Sequence, residues 1–168
     1  GLEASQLEAL GVSVIPGALS SDADQVGEFY RSIFESGAQK ILSLHVLADF
    51  SDSLLTAQKA CQNNPDISSS TCLVDSGNMP TAMGIMLERL SVARASGASF
   101  EASCAYAHEL SEVVATMYIA MNKVALHKSK DKRPRLSLRL RLERLHRRIS
   151  NDMYLYRLVG GRCTEVAR

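Results

Sequence analysis

The sequence lacks several features by which classes of function are commonly identified. Neither G-x-x-x-x-G-K-[ST] nor G-x-G-x-x-G occurs in its 168 residues, so the usual sequence evidence for binding nucleotide phosphates or dinucleotides is missing. The four cysteines lie far apart without a C-x-x-C pair, and the histidines form no ligand pair with a carboxylate at metal-site spacing. We therefore expect reduced thiols, no disulfide framework, no metal and no cofactor.

Long hydrophobic runs are also missing. The longest apolar stretches fall well short of the ~20 residues that a membrane-spanning helix needs. Residues 1–10 lack the basic start and apolar stretch of a signal peptide, so nothing in them marks the chain for export. The globular composition, 46% hydrophobic and 22% charged, instead predicts one compact core without a membrane span. The reduced thiols expected above indicate a cytoplasmic protein.

Charge is divided unevenly along the chain. Residues 1–122 hold five Lys or Arg and fourteen Asp or Glu, whereas residues 123–168 hold fourteen Lys or Arg and four Asp or Glu. The two parts therefore carry formal charges of −9 and +10. This asymmetry indicates a division of the chain near residue 122, with a basic, divergent segment over residues 123–168. The pattern of residues 1–122, described next, predicts an α/β domain there.

Short apolar runs that read as strands alternate with helical patterns in the first part. These runs lie near residues 12–15, 40–46, 70–74 and 116–121. Helix-starting chemistry lies between them, at Ser20–Asp24, Ser51, Pro80 and Ser99. The alternation is typical of the α/β class, with a largely parallel sheet flanked by helices. In such sheets ligands bind at the carboxyl ends of the strands.

The basic segment has a different pattern. In residues 135–150, RLSLRLRLERLHRRIS, the leucines alternate as in a strand and also form one helical stripe, and we favour a helix from about Leu138. The arginines of residues 133–148 are first interpreted as a solvated helix face. The alternative is an interaction module that binds nucleic acid or another polyanion. Because no aromatic residues are interleaved with the arginines, nucleic acid is not the expected partner.

Three blocks occur in an order known from one protein family. Ser51 and Ser53 follow an apolar run in the frame of S-S-x-L-S-G-T-x-x-S-A, and Val74–Ser76 matches a V-D-S block. Residues 7–16 are similar to L-x-x-L-G-I-x-V-V-P. In this arrangement the chain resembles the DegV family of bacterial fatty-acid-binding proteins, over most of residues 5–122.

The resemblance implies both a fold and a function. Family members are two-domain α/β proteins that hold a long-chain fatty acid between the domains and present its carboxylate to a partner kinase, without being kinases themselves. Ser51 and Ser53 would donate hydrogen bonds to the carboxylate, where a strand gives way to a helix N-terminus. Ser21 corresponds to a second polar loop of the family, and Arg162 to the arginine of its G-G-R motif.

Several candidate residues have a second interpretation. Asp75 and Ser76 are candidate ligand contacts and also ordinary turn residues at a strand end. His45, within an apolar run, is expected to be a hydrogen-bonded core histidine and not a catalytic one. Asp52 replaces the family's glycine and places a carboxylate beside the expected lipid head group. A fragment that does not bind lipid is therefore a further alternative.

Overall fold

The computed structural model describes residues 2–17, 21–120 and 153–167. The helices of these ranges are α1 (Ala4–Ala9), α2 (Ala23–Glu35), α3 (Ser53–Asn63), α4 (Pro65–Ser68), α5 (Pro80–Ala95) and α6 (Phe100–Val113). The strands are β1 (Ile41–His45), β2 (Thr71–Asp75), β3 (Ala115–Ala120), β4 (Tyr154–Val159) and β5 (Arg162–Ala167). No helix in these ranges combines the length and the apolar character needed to cross a bilayer.

Helices α2, α5 and α6 begin where the sequence predicts. The Asp22 carboxylate accepts hydrogen bonds from the first-turn N–H groups of α2, and the Ser99 hydroxyl accepts one from Ala102 N at 3.1 Å at the start of α6. Pro65 and Pro80 occupy first-turn positions of α4 and α5, where a missing N–H costs nothing. Local capping chemistry therefore determines these boundaries.

The strands form two sheets. Strands β1 and β2 are parallel, with Ile41 opposite Thr71 and His45 opposite Asp75, and helices flank them as predicted. Strands β3, β4 and β5 form an antiparallel sheet in that order. The α/β class with a parallel sheet and flanking helices is thus confirmed. The predicted strand near 116–121 is also present, but its partner β4 runs antiparallel to it.

The prediction of a strand near residues 12–15 is wrong. This segment has no regular secondary structure and pairs with no other strand among the described residues. Its first N–H, on Val12, donates instead to Leu7 O at 2.9 Å, after a turn in which Gly11 has a φ of 65°. The side chain of Val14 is exposed. Alternating β-branched residues do not form a strand where no neighbouring strand supplies backbone partners.

The described part of the basic segment joins the rest of the fold through β4. The side chains of Tyr156 and Leu158 on this strand are buried, and β4 pairs along its whole length with β3. The division of the chain at residue 122 stays a prediction. The predicted helix from Leu138 and the arginine cluster at residues 133–148 lie outside the described residues.

Two apolar cores lie on opposite faces of β1 and β2. One is built from α2, α3, α4 and β1, and the other from β2, α5 and α6. Along β1 the side chains of Ile41, Ser43 and His45 are buried, and Leu42 and Leu44 pack against the second core. Two of the three buried positions on β1 are therefore polar, which requires hydrogen-bond partners inside the protein.

Candidate functional site

The candidate site lies at the carboxyl ends of β1 and β2. The loop after β1 and the loop after β2 are joined by backbone hydrogen bonds from Ser76 N to His45 O (2.8 Å) and from Leu47 N to Asn78 O (3.0 Å). Helix α3 starts from the first loop and α5 from the second. The expected edge of the sheet thus brings both predicted blocks together.

Ser51 and Ser53 lie together at the N-terminus of α3. Ser53 N donates to Ser51 Oγ at 3.2 Å. Asp52, and not the predicted Ser51, occupies the N-cap position, and its side chain does not cap the helix. In the described part of the chain the backbone N–H groups of Leu54 and Leu55 have no acceptor. Hydroxyls and unpaired N–H groups at a helix N-terminus are suited to bind an anion.

A buried chain of hydrogen bonds runs from α2 to Ser53. Tyr30 OH lies 2.8 Å from Ser43 Oγ, which lies 3.0 Å from His45 Nε2. On the other side of the ring, His45 Nδ1 lies 3.4 Å from Ser53 Oγ. The expectation of a hydrogen-bonded core histidine is confirmed. Its link to Ser53 was not predicted, although polar residues alternating with Ile41 on a buried strand are the signal that could have shown it.

Burial decides the protonation states of His45 and Tyr30 in this hydrogen-bonded chain. Burial lowers the pKa of His45, and the nearby Asp75 carboxylate offsets only part of that effect. Burial also raises the pKa of Tyr30 to about 12. Near neutral pH the imidazole is therefore neutral and the phenol is protonated.

Asp75 and Ser76 hold the loop after β2. The Asp75 carboxylate accepts from Gly77 N at 2.8 Å and from Ala48 N at 3.1 Å. Ser76 is fully buried, and its hydroxyl exchanges 3.2 Å hydrogen bonds with the backbone of Asn78. The turn interpretation of both residues agrees with these contacts. Direct contact with a ligand stays a prediction for both.

Asn78 is a structural residue of the site that sequence reasoning missed. Its buried amide donates to Val114 O at 2.8 Å and accepts from Thr116 Oγ1 at 3.2 Å. These bonds tie the loop after β2 to the start of β3. An asparagine in a D-S-G-N turn sequence gives no sign of such a distant role, because its partners lie 36 and 38 residues further along the chain.

Glycines bring the turn between β4 and β5 to the same loop. Gly161 N donates to Gly77 O at 2.9 Å, and Gly160 N donates to Ser111 O at 3.2 Å. Gly77 has a φ of 59°, and a Cβ there would lie 2.8 Å from Gly161 N. The glycines before Arg162 therefore pack at the site, even though they lie farther along the chain than the family spacing predicts.

The remaining predicted contacts lie at the edges of this arrangement. Arg162 is exposed and is the first residue of β5, directly after the glycine turn. Ser21 is exposed and precedes Asp22, the N-cap of α2. The N-terminus of α2, next to Ser21, lies about 10 Å along the helix axis from Tyr30, where the hydrogen-bonded chain begins. The structure thus brings Ser51 and Ser53 together, whereas the ligand roles of Ser21 and Arg162 stay predictions.

Metal chemistry has no support in the described ranges. No group of three or more His, Cys, Asp or Glu side chains within them could hold a metal ion. The four cysteines are free thiols.

Comparison with known proteins identifies the fold. No family model and no curated sequence matches the chain. A solved DegV family protein from Thermus thermophilus, described by its fatty-acid binding, matches with a TM-score of 0.62 at 20% identity, over 88% of this chain and 49% of its own. A DegV family protein from Corynebacterium glutamicum matches with a TM-score of 0.65 at 18% identity, over 99% of this chain and 64% of its own.

A third structure agrees with these two. A stearic-acid-binding protein from Eubacterium ventriosum matches with a TM-score of 0.66 at 14% identity, over 99% of this chain and 66% of its own. The chain therefore spans about half to two thirds of the length of these structures. This chain therefore has the fold of the DegV family structures that it matches.

Proposed function

We propose that this chain is a noncatalytic lipid-binding protein in which Ser51 and Ser53 hold the carboxylate of a long-chain fatty acid. The observation that carries the proposal is the convergence of two hydroxyls and two unpaired backbone N–H groups at the N-terminus of α3, at the carboxyl end of β1. A carboxylate accepts hydrogen bonds only, and the positive end of the helix dipole favours its charge.

The fold supports a fatty acid in preference to other ligands that carry a carboxylate. Two of the three structural neighbours are described by their binding of a fatty acid. Because the neighbours are longer than this chain, we propose that further protein, from a longer form of the chain or from a partner, covers the acyl tail. A fatty-acid kinase that acts on the presented carboxylate is the proposed partner. The free thiols fit the proposed cytoplasmic location.

Native mass spectrometry of protein purified from bacteria tests the proposal. We expect a copurified long-chain fatty acid in the wild type and its loss in Ser53→Ala, because a hydrogen bond to a charged group contributes about 1.5–3 kcal/mol, or at least tenfold in affinity. Ser68→Ala is the matched control, since Ser68 is exposed on α4, away from the site. This variant should retain the lipid.

Two outcomes would contradict the proposal. Wild-type protein that stays lipid-free when incubated with micromolar fatty acid would favour a fragment that does not bind lipid. Equal lipid content in Ser53→Ala and Ser68→Ala would show that lipid binds elsewhere on the protein.

A further inference from the structure

We propose that His45 is a positioning residue that turns the hydroxyl hydrogen of Ser53 outward and so selects an ionised carboxylate over an uncharged head group. This inference rests on the proposed function of the site. It concerns the direction of each hydrogen bond in the chain from Tyr30 to Ser53. That direction follows from the number of protons each group can donate.

The direction is decided at the buried end of the chain. Tyr30 is 1% exposed, and in the described part of the protein Ser43 is the hydrogen-bond partner of its hydroxyl. If Ser43 donated to Tyr30, the phenol hydrogen would be buried without an acceptor, which costs about 1–3 kcal/mol. Tyr30 therefore donates to Ser43.

The histidine tautomer follows from this first step. Ser43 has one hydroxyl hydrogen, and its other partner is His45 Nε2 at 3.0 Å. If Nε2 carried the ring proton, Ser43 Oγ would accept from both partners, and its own hydrogen would be buried without an acceptor among the described residues. Ser43 therefore donates to Nε2. Nε2 is then the acceptor nitrogen of a neutral ring, and the ring proton lies on Nδ1.

The outer end of the chain then faces the site. With its proton on Nδ1, His45 donates to Ser53 Oγ across 3.4 Å. The hydroxyl hydrogen of Ser53 is consequently left for a ligand. In the opposite tautomer Ser53 would donate inward to Nδ1 and would present only lone pairs, which repel a carboxylate. The buried Tyr30 on α2 thus favours the orientation in which Ser53, at the start of α3, donates a hydrogen bond to an anion.

The same arrangement bears on catalysis. A serine nucleophile needs a base that takes its proton. In this chain His45 gives a hydrogen bond to Ser53 and does not accept one from it. Both ring nitrogens of His45 bond serine hydroxyls. The neighbouring carboxylate of Asp75 therefore does not orient the imidazole, and it accepts from the backbone of Ala48 and Gly77 instead. The geometry therefore favours binding over acyl transfer, in agreement with a noncatalytic site.

The first test reads the tautomer directly, without a ligand. Nitrogen-15 chemical shifts of the His45 ring in the folded wild-type protein at pH 7.5 should show a protonated Nδ1 and an unprotonated Nε2. A protonated Nε2, or a ring protonated on both nitrogens, would overturn the assigned direction. This result stands whether or not the protein binds a lipid.

The second test reads selectivity. Dissociation constants for dodecanoate and 1-dodecanol are measured with the wild type, Tyr30→Phe and Tyr118→Phe. An alcohol can both donate to and accept from Ser53, so it tolerates either tautomer, whereas a carboxylate needs Ser53 as a donor. Removing the phenol of Tyr30 frees Ser43 and His45 to reverse. We expect Tyr30→Phe to lower the preference for dodecanoate over dodecanol about fivefold or more.

The control and the contrary outcomes separate this inference from the proposed function. Tyr118 bonds Cys163 Sγ at 3.0 Å in the other sheet, so Tyr118→Phe should leave the preference unchanged. Equal weakening of both ligands by Tyr30→Phe would reduce His45 to a merely structural role and overturn the inference. Failure of the wild type to bind either ligand would refute the proposed function and the selectivity together, while the tautomer is decided separately by the nitrogen shifts.

Discussion

Replacing Gly77 by alanine tests whether the turn between β4 and β5 packs on the loop after β2. At this position the added Cβ would lie 2.8 Å from Gly161 N and 3.1 Å from the Cα and carbonyl carbon of Gly160. These are backbone atoms, which cannot swing aside as the end of a side chain can. The alanine must also adopt a φ of 59°, which L-residues rarely do.

The two costs can be separated with a matched glycine. Gly97 has a φ of 87° and no atom within 4 Å of an added Cβ, so Gly97→Ala incurs backbone strain alone, about 1 kcal/mol. Gly77→Ala incurs similar strain and a further cost of about 2 kcal/mol from overpacking. The expected difference in stability of about 2 kcal/mol corresponds to a Tm lower by about 4–8 °C for a chain of this size.

Urea unfolding and thermal melts of the two variants measure this difference. Gly77→Ala should have the lower urea midpoint, with an unchanged dependence of the unfolding free energy on urea concentration. Equal midpoints and equal Tm values for Gly77→Ala and Gly97→Ala would refute the packing of the turn on this loop. Such a result would also remove the structural reason for placing Arg162 near the site.

Three further predictions concern charge. Burial holds the pKa of His45 below its usual value, so near pH 6.5 the unfolded chain takes up a proton that the folded chain does not. The free energy of unfolding should therefore fall by up to about 1.4 kcal/mol per pH unit below that pH. Urea titrations should show a smaller fall in His45→Asn but not in His108→Asn, which alters an exposed residue of α6. Asp52→Asn should strengthen dodecanoate binding about fivefold, because two unit charges 4 Å apart repel by about 1 kcal/mol in water. Weaker binding of dodecanoate to this variant, measured by calorimetry, would contradict the prediction. Fluorescence anisotropy should show negligible oligonucleotide binding by the full chain. The polyanion alternative would be favoured instead by steeply salt-dependent binding that is lost in a variant with Gln at Arg139, Arg141, Arg144 and Arg147.

Local sequence determined much of the fold. The helix starts at Asp22, Pro80 and Ser99 depend on capping oxygens and on the missing N–H of proline, which act within one turn of the chain. The strands at β1 and β2 follow from short apolar runs bounded by turn residues. The order of these elements predicts the α/β class, because a helix between two strands allows them to pair in parallel, as β1 and β2 do. The segment near residues 12–15 shows the limit of this reasoning, since a strand needs a partner.

Tertiary structure alone decided how the site is assembled. The sequence indicates Ser51 and Ser53 individually, but the buried line from Tyr30 through Ser43 and His45 exists only because α2 packs against the same face of β1. The packing of Gly161 on Gly77 likewise joins residues 84 positions apart. Hydrogen bonds and close backbone contacts of this kind depend on distances in space, which residue spacing along a chain does not encode. The sequence by itself therefore determined which local elements form, and the packing between distant elements decided which polar groups meet.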